Sequence, residues 1–283
     1  MAIVTISRGC FSHGKEIAEK TAQQLGYNII SREILFEAAE FFHVSEKELL
    51  KSLHDAPSLL ERLTHGKDKY LTYIRASLLK HVKNDNVVYH GHAGHLLLPE
   101  INNIVKIRII ADMDERIRFL KQTENYSTDQ ARSFLEKEDN QRAKWTQYIY
   151  NIDINDPKLY DLVIRIGKLG IQEACDIICA AVRTNAYQTT DKCRKLLENI
   201  ALSSYIKVVL QDICKADVIS KDGIIHVKAF CPGIKKSSYT SSKLQNETQE
   251  QMMSNLSDKI SDIVHKIDGV KELICDIEPP SYH

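Results

Sequence analysis

The sequence predicts an α/β protein in two parts: a parallel sheet of about five strands flanked by helices, then a small α+β (αββαβ) domain. Three observations predict this. Ala2 to Ile6 is an apolar, β-branched run that passes through a loop bounded by Gly9 and Gly14 into the helical pattern of Lys15-Glu16-Ile17-Ala18. Short apolar runs then alternate with helical periodicity up to residue 183, the pattern of parallel strands joined by helical crossovers. From residue 200 onward the rhythm changes to amphipathic helices around a hairpin.

The first strand and its loop carry the strongest signal. Gly9 to Lys15 fits G-x-x-x-x-G-K. The amides of such a loop and the positive end of the following helix form a concave anion site, to which a lysine adds a point charge. Glu16 stands where Ser or Thr would offer a hydroxyl to magnesium. Ile17, Ala18, Thr21, Ala22 and Leu25 recur at helical spacing and Gly26 stops the pattern, so a helix is expected over 14–25.

Tyr27 to Ile30 follows as a second strand. Ser31 caps a helix opened by Arg32-Glu33-Ile34-Leu35, and Ser45 with Glu48 makes a capping box for another. The apolar residues from Leu59 to Val82 predict a long helix, or a pair broken near Gly66. Asn86 to His90 is the third strand, ending in Gly91-His92-Ala93-Gly94, and Val105 to Ala111 the fourth. Asp112 or Asp114 caps a helix over 115–122. Ser127 to Gln130 opens the next, with Arg132, Glu136, Asp139 and Arg142 on its polar sides. Leu162 to Ile164 is a fifth strand and 170–182 a closing helix. In such a sheet ligands bind at the carboxyl ends of the strands, where the loops after the first and third strands fall.

Residues 184–199 change composition and read as a linker running into a helix. Ile200 to Ile213 is amphipathic; Asp217 to Ser220 and Ile224 to Phe230 are strands joined through Lys221-Asp222-Gly223, a hairpin signal. The polar run from Ser237 to Gln251 starts as a mobile loop, Met252 to Ile267 continues as a helix, and Val270 to Ile277 is a last strand. The expected division is therefore a domain over 1–183, a linker and helix start over 184–199 and an accessory domain over 200–283.

Composition narrows the function classes. Lys plus Arg equals Asp plus Glu at 38 each, so no overall field draws nucleic acid or an anionic membrane, and phosphate binding must come from local geometry. No apolar stretch is long enough to span a bilayer and no leader pattern opens the chain, which points to the cytoplasm. Seven scattered cysteines without a C-x-x-C pair suit reduced thiols.

The ordered set Ile6-Ser7-Arg8, Ser12, Gly14-Lys15-Glu16-Ile17-Ala18, Leu25-Gly26, Arg32-Glu33-Ile34-Leu35, Gly91, Ala111, Glu115-Arg116-Ile117, Ala131, Glu138-Asp139-Asn140-Gln141-Arg142 and Tyr160 to Ile164 resembles the cytidylate kinase-like family of P-loop nucleoside monophosphate kinases. The resemblance covers 1–183. It implies a P-loop core, ATP as donor, a CMP-type acceptor, magnesium, and a lid helix that brings arginines onto the phosphates. It assigns Lys15, Arg116, Arg132, Asp139 and Arg142 to catalysis, with Asp139 orienting Arg142 or holding magnesium through water. Gly9, Ser12, His13, Gly14, Lys15 and Glu16 would bind the donor, and Arg8, Arg32 and His92 the acceptor. Nucleotide and small-molecule acceptor are the partners implied; a homo-oligomer is compatible with the sequence.

The chain departs from the family pattern at defined places. Phe11 and His13 occupy two glycine positions of the loop, Lys15 replaces an arginine, His92 stands where the family has arginine, and Ser31 where it often has Asp. These departures motivate a second reading, a nucleotide-binding pseudo-kinase whose C-terminal module regulates or binds a partner. Residues 200–280 resemble, more loosely, a BON module ending in a Gly-Val strand, here Gly269-Val270.

Three other clusters are weighed against plain packing. His90, His92 and His95 lack a nearby cysteine, and a strand-end polar cluster accounts for them without metal. Cys175 and Cys179 share a helix face as small core residues. Trp145, Tyr148 and Tyr150 fit core or lid packing better than stacking on a base.

Overall fold

The computed structural model describes residues 2–31, 33–41, 43, 45, 47, 67–99, 101–231 and 242–279. Two compact units emerge, Met1–Arg194 and Lys195–His283. Arg32, Glu48, the stretch from Leu59 to Gly66 and the start of the polar run at Ser237 lie outside the described residues, and with them the Ser45–Glu48 capping box and the expected helix break.

The first unit is built on β1 (Ile3–Arg8), β2 (Asn28–Ile30), β3 (Val87–His90), β4 (Ile104–Ala111) and β5 (Leu162–Ile166). All pairings are parallel, and the order is β2-β3-β1-β4-β5. Ile3, Val4 and Ile6 are buried on both faces of the sheet, as a central parallel strand requires. The chain moves from β1 to one side for β2 and β3, then crosses to the other for β4 and β5. The switch opens a crevice at the carboxyl end of β1, between β3 and β4.

Helix α1 (Gly14–Leu25) buries Ile17, Ala18, Thr21 and Ala22 along one stripe and stops at Gly26, whose left-handed backbone returns its amide to Ala22 and Gln23. Helices α2 (Glu33–Phe41), α3 (Lys67–Val82) and the short α4 (Gly94–Leu97) follow around β2 and β3. Helix α5 (Met113–Thr123) starts two residues earlier than expected. Asp112 is its N-cap residue, but its side chain makes no capping bond and instead accepts from Arg165 Nε at 3.0 Å. Helix α6 (Thr128–Tyr150) opens on a complete capping box between Ser127 and Gln130. Helix α7 (Ile171–Val182) packs against α1, where Cys175 and Cys179 are buried in the core.

Helix α8 (Asp191–Leu210) is continuous, and the Thr190 hydroxyl accepts from the Cys193 amide at its start. The second unit continues with β6 (Lys215–Lys221), β7 (Ile224–Phe230), α9 (Ser242–Val264) and β8 (Glu272–Glu278). β6 and β7 form the expected hairpin through Asp222 and Gly223, both at positive φ, and β8 adds parallel to β7. Ala216, Ile225, Val227 and Ala229 face a core completed by Ile206, Leu210, Leu256, Ile260 and Val264. Among the described residues no helix is long and apolar enough to cross a membrane.

Candidate functional site

Residues 9–13 link β1 to α1 without a glycine at either of the two positions where the backbone turns left-handed. Phe11 has φ 53° and His13, the N-cap of α1, φ 61°. The Gly9 amide donates to the Ile109 carbonyl at 3.1 Å, and the Ser12 hydroxyl to the Gly9 carbonyl at 2.8 Å and that of Ile109 at 3.3 Å, so the loop is tied back onto β4. Among the described residues, the amides from Phe11 to Lys15 donate to no backbone carbonyl. A row of unpaired amides at a helix start is the donor set an anion needs.

The side chains beside this loop are mostly cationic. Arg8, Arg108, Arg116 and Arg142 line a cleft of about 260 Å³ with Gly9, Ala111, Asn155 and one carboxylate, Asp139. Arg116 is 7% exposed: its Nε donates to the Cys10 carbonyl at 2.7 Å, and its two Nη groups grip Asp139 at 2.7 and 2.9 Å. Arg142 Nη1 donates to the Arg8 carbonyl at 3.0 Å, while its Nε is buried without a partner. Burial pushes the Cys10 thiol above its ordinary range even though Arg142, Arg8 and Arg116 all favour the thiolate.

Not every residue expected at the site is in the cleft. Lys15 is 67% exposed on α1 with its Nζ 3.7 Å from Glu19, and Glu16 pairs with Lys20 at 3.1 Å. Arg132 pairs with Asp114 at 3.3 Å and does not line the cleft. Asp139 was expected to orient Arg142, three residues along α6, yet both its oxygens are taken by Arg116. The reason is geometric: the planar guanidinium of Arg116 meets the carboxylate edge-on in a bidentate pair, stronger than a contact along one helix face. His92 lies edge-on to Trp145, ring centroids 4.6 Å apart, and Trp145 is fully buried. Arg32 lies outside the described residues.

The rings at the two left-handed loop positions are packed. His13 stacks on Phe119 with centroids 4.2 Å apart, its Nε2 3.6 Å from Glu115, and Phe11 meets Phe119 and Phe134 edge-on. Among the described residues no group of three His, Cys, Asp or Glu is arranged to hold a metal ion. His95 is buried against the Tyr160 ring, and burial, with Lys106 and Arg108, lowers its pKa to about 4.

Sequence reasoning missed Arg108. It sits opposite Ser7 in the β1–β4 ladder and donates to the Ser7 hydroxyl at 3.3 Å, the Tyr160 hydroxyl at 3.4 Å and Asn155 Oδ1 at 2.9 Å. A signal existed: an arginine between Ile107 and Ile109 in a strand otherwise fit for burial needs polar company.

The sequence profile described as "Cytidylate kinase-like family" matches residues 3–168. A cytidylate kinase of Methanothrix thermoacetophila is 28% identical over 184 residues, covering 64% of this chain and 98% of that protein. One of Methanosarcina barkeri is 32% identical over 111 residues, 35% of this chain and 61% of that protein, so there the chain spans less than two thirds of its relative. Among solved structures, an uncharacterized protein from Eubacterium ventriosum superposes with a TM-score of 0.52 at 19% identity, over 65% of this chain and 100% of that one, a likeness of fold. With its parallel sheet, its loop at the switch point and a profile match spanning more than half its length, the chain belongs to the cytidylate kinase-like family.

Proposed function

We propose that the first unit binds ATP and transfers its γ-phosphoryl group to a nucleoside monophosphate of the CMP class or a related small acceptor. The observation that carries this reading is the convergence of four arginines, against one carboxylate, on a cleft beside the unpaired amides of the loop. Phosphoryl transfer needs little covalent help from a protein; it needs positioning and fixed positive charge around the transferring oxygens. The amides of Ser12, His13 and Gly14 act as the cradle, with Gly9 giving the loop its entry. Arg116 and Arg142 supply charge to the transition state, and Asp139 holds Arg116 in place. Arg132 and Glu16 act from the rim, and Arg32 and His92 would contribute to acceptor binding.

Magnesium would travel with the triphosphate, neutralising its oxygens. The residues of the cleft fit that division of labour: among the described residues Asp139 is the one carboxylate lining it, and Arg116 already engages both its oxygens, so a magnesium ion would be held chiefly by the phosphates. Such an enzyme would work in the cytoplasm, with the second unit as a BON-like accessory module.

The test is ADP release from ATP and magnesium with CMP, dCMP, UMP, AMP and GMP in turn. Turnover with any of them supports the transferase; none, alongside measurable ATP binding, rejects it. That second outcome favours a nucleotide-binding protein without catalysis that regulates a partner through the second unit. One observation supports this alternative: rings, not glycines, occupy both left-handed loop positions and pack on Phe119.

A further inference from the structure

We infer that Arg8 supplies, from the last residue of β1, the phosphate-directed cation that a P-loop ordinarily takes from the lysine after its final glycine. The inference rests on the nucleotide reading above.

In G-x-x-x-x-G-K the lysine directly follows the last glycine, where the loop passes into the helix and the side chain can return over the phosphates. In this chain the left-handed backbone of residues 11 and 13 marks where glycine would ordinarily stand, and α1 begins immediately after, at Gly14. Gly14 therefore sits in the lysine's place, and the literal match of Gly9 to Lys15 runs one residue late against the backbone. That single step turns Lys15 by about 100° around the helix axis. Its ammonium ends 3.7 Å from Glu19, 67% exposed.

What occupies the space above residue 14 is the stem of Arg8. A Cβ at position 14 would lie 2.6 Å from Arg8 Cβ and 2.7 Å from Arg8 Cδ, closer than such atoms approach. A side chain at 14 and the stem at 8 thus exclude one another. Glycine at 14 lets the arginine cross the loop, and beyond it Arg8 lines the cleft with Arg108, Arg116 and Arg142. The exchange is chemically sensible, because a guanidinium grips two phosphate oxygens at once where an ammonium acts as a point charge.

The test measures binding of ATP and of inorganic tripolyphosphate to the full chain by calorimetry. Arg8→Gln keeps the stem and removes the charge, so it separates the charge from packing; circular dichroism checks that it folds. It should weaken both probes by about tenfold or more, while Lys15→Ala stays within about twofold. In Arg8→Gly the space above residue 14 is vacated, Cβ included, and a folded Arg8→Gly/Gly14→Lys should regain most of the affinity that Arg8→Gly loses. Unchanged affinity in Arg8→Gln, a tenfold loss in Lys15→Ala, or no recovery in the double variant each overturns the inference and leaves the nucleotide reading standing. A wild-type chain that binds neither probe overturns both.

Discussion

Arg116 and Asp139 form a bidentate ion pair across 23 residues of sequence, Nη1 to Oδ2 at 2.7 Å and Nη2 to Oδ1 at 2.9 Å, while Arg116 Nε holds the Cys10 carbonyl. One side chain thereby ties α5, α6 and the loop together. Asp139→Ala leaves a guanidinium that is almost wholly buried without its carboxylate. Because the Asp139 side chain is itself 39% exposed, the cost falls below that of a fully buried pair, and about 1–2 kcal/mol is expected. Asp139→Asn, which keeps one acceptor, should lose less. Thermal melts of the two variants decide it, and an unchanged midpoint in Asp139→Ala would show that the pair is not what joins these elements.

Phe11 and His13 share a left-handed backbone but should respond differently to glycine. Releasing the strain is worth about 1 kcal/mol at either position. Against that, His13→Gly loses one ring stack on Phe119, a contact of similar worth, so its stability should stay within about 1 kcal/mol of wild type. Phe11→Gly removes a ring packed on both Phe119 and Phe134, and should be destabilised by about 2 kcal/mol net. Urea denaturation compares them directly. A loss in His13→Gly as large as that in Phe11→Gly would show that the imidazole anchors the loop as firmly as the phenyl ring.

Why these features were readable to different depths follows from the kind of signal each leaves. Helix α1 was legible to the residue because Gly26 needs its left-handed backbone and Ile17, Ala18, Thr21 and Ala22 keep strict spacing. The Ser127 capping box was legible for the same reason: its partners are three residues apart. The helix starting at Asp191 was legible only as a linker running into a helix, because its first turn is polar and mostly exposed and resembles a linker in composition. The arginine cleft was half legible. Arg116 and Arg142 stand out by their order in the chain, but Arg108 enters through cross-strand pairing with Ser7, which no local pattern encodes. Likewise the literal motif pointed to Lys15, and only the backbone angles at residues 11 and 13 reveal where the loop ends.

Gly94 is held small by one aromatic ring. A Cβ there would lie 2.3 Å from Tyr89 Cδ1 and 2.4 Å from Cε1, and Tyr89 is 4% exposed, so the ring has nowhere to swing. Gly94→Ala should cost about 2–3 kcal/mol by overpacking. Combining it with Tyr89→Ala should cost less than the sum of the two single changes by about 1 kcal/mol or more, since the second change removes what the first collides with. Additivity in this double-mutant cycle would place the origin of the constraint elsewhere.

His95 should make stability fall in mildly acidic solution. Burial is the main cause of its lowered pKa, about 4 in the fold against an ordinary 6.5, with the positive charges of Lys106 and Arg108 acting in the same direction. The unfolded chain therefore takes up the proton first. Stability from this group is complete above about pH 6.5 and is lost as pH falls towards 4, by about 3 kcal/mol in total. Carboxylates titrate at the acidic end of the same window, so the informative quantity is a difference: His95→Gln, which stays neutral, should have a flatter urea-midpoint profile between pH 6.5 and 4.5 than the wild type. If the two profiles run parallel, the imidazole accepts its proton inside the fold, and the space beside Tyr160 and Arg108 must be wetter than its burial implies.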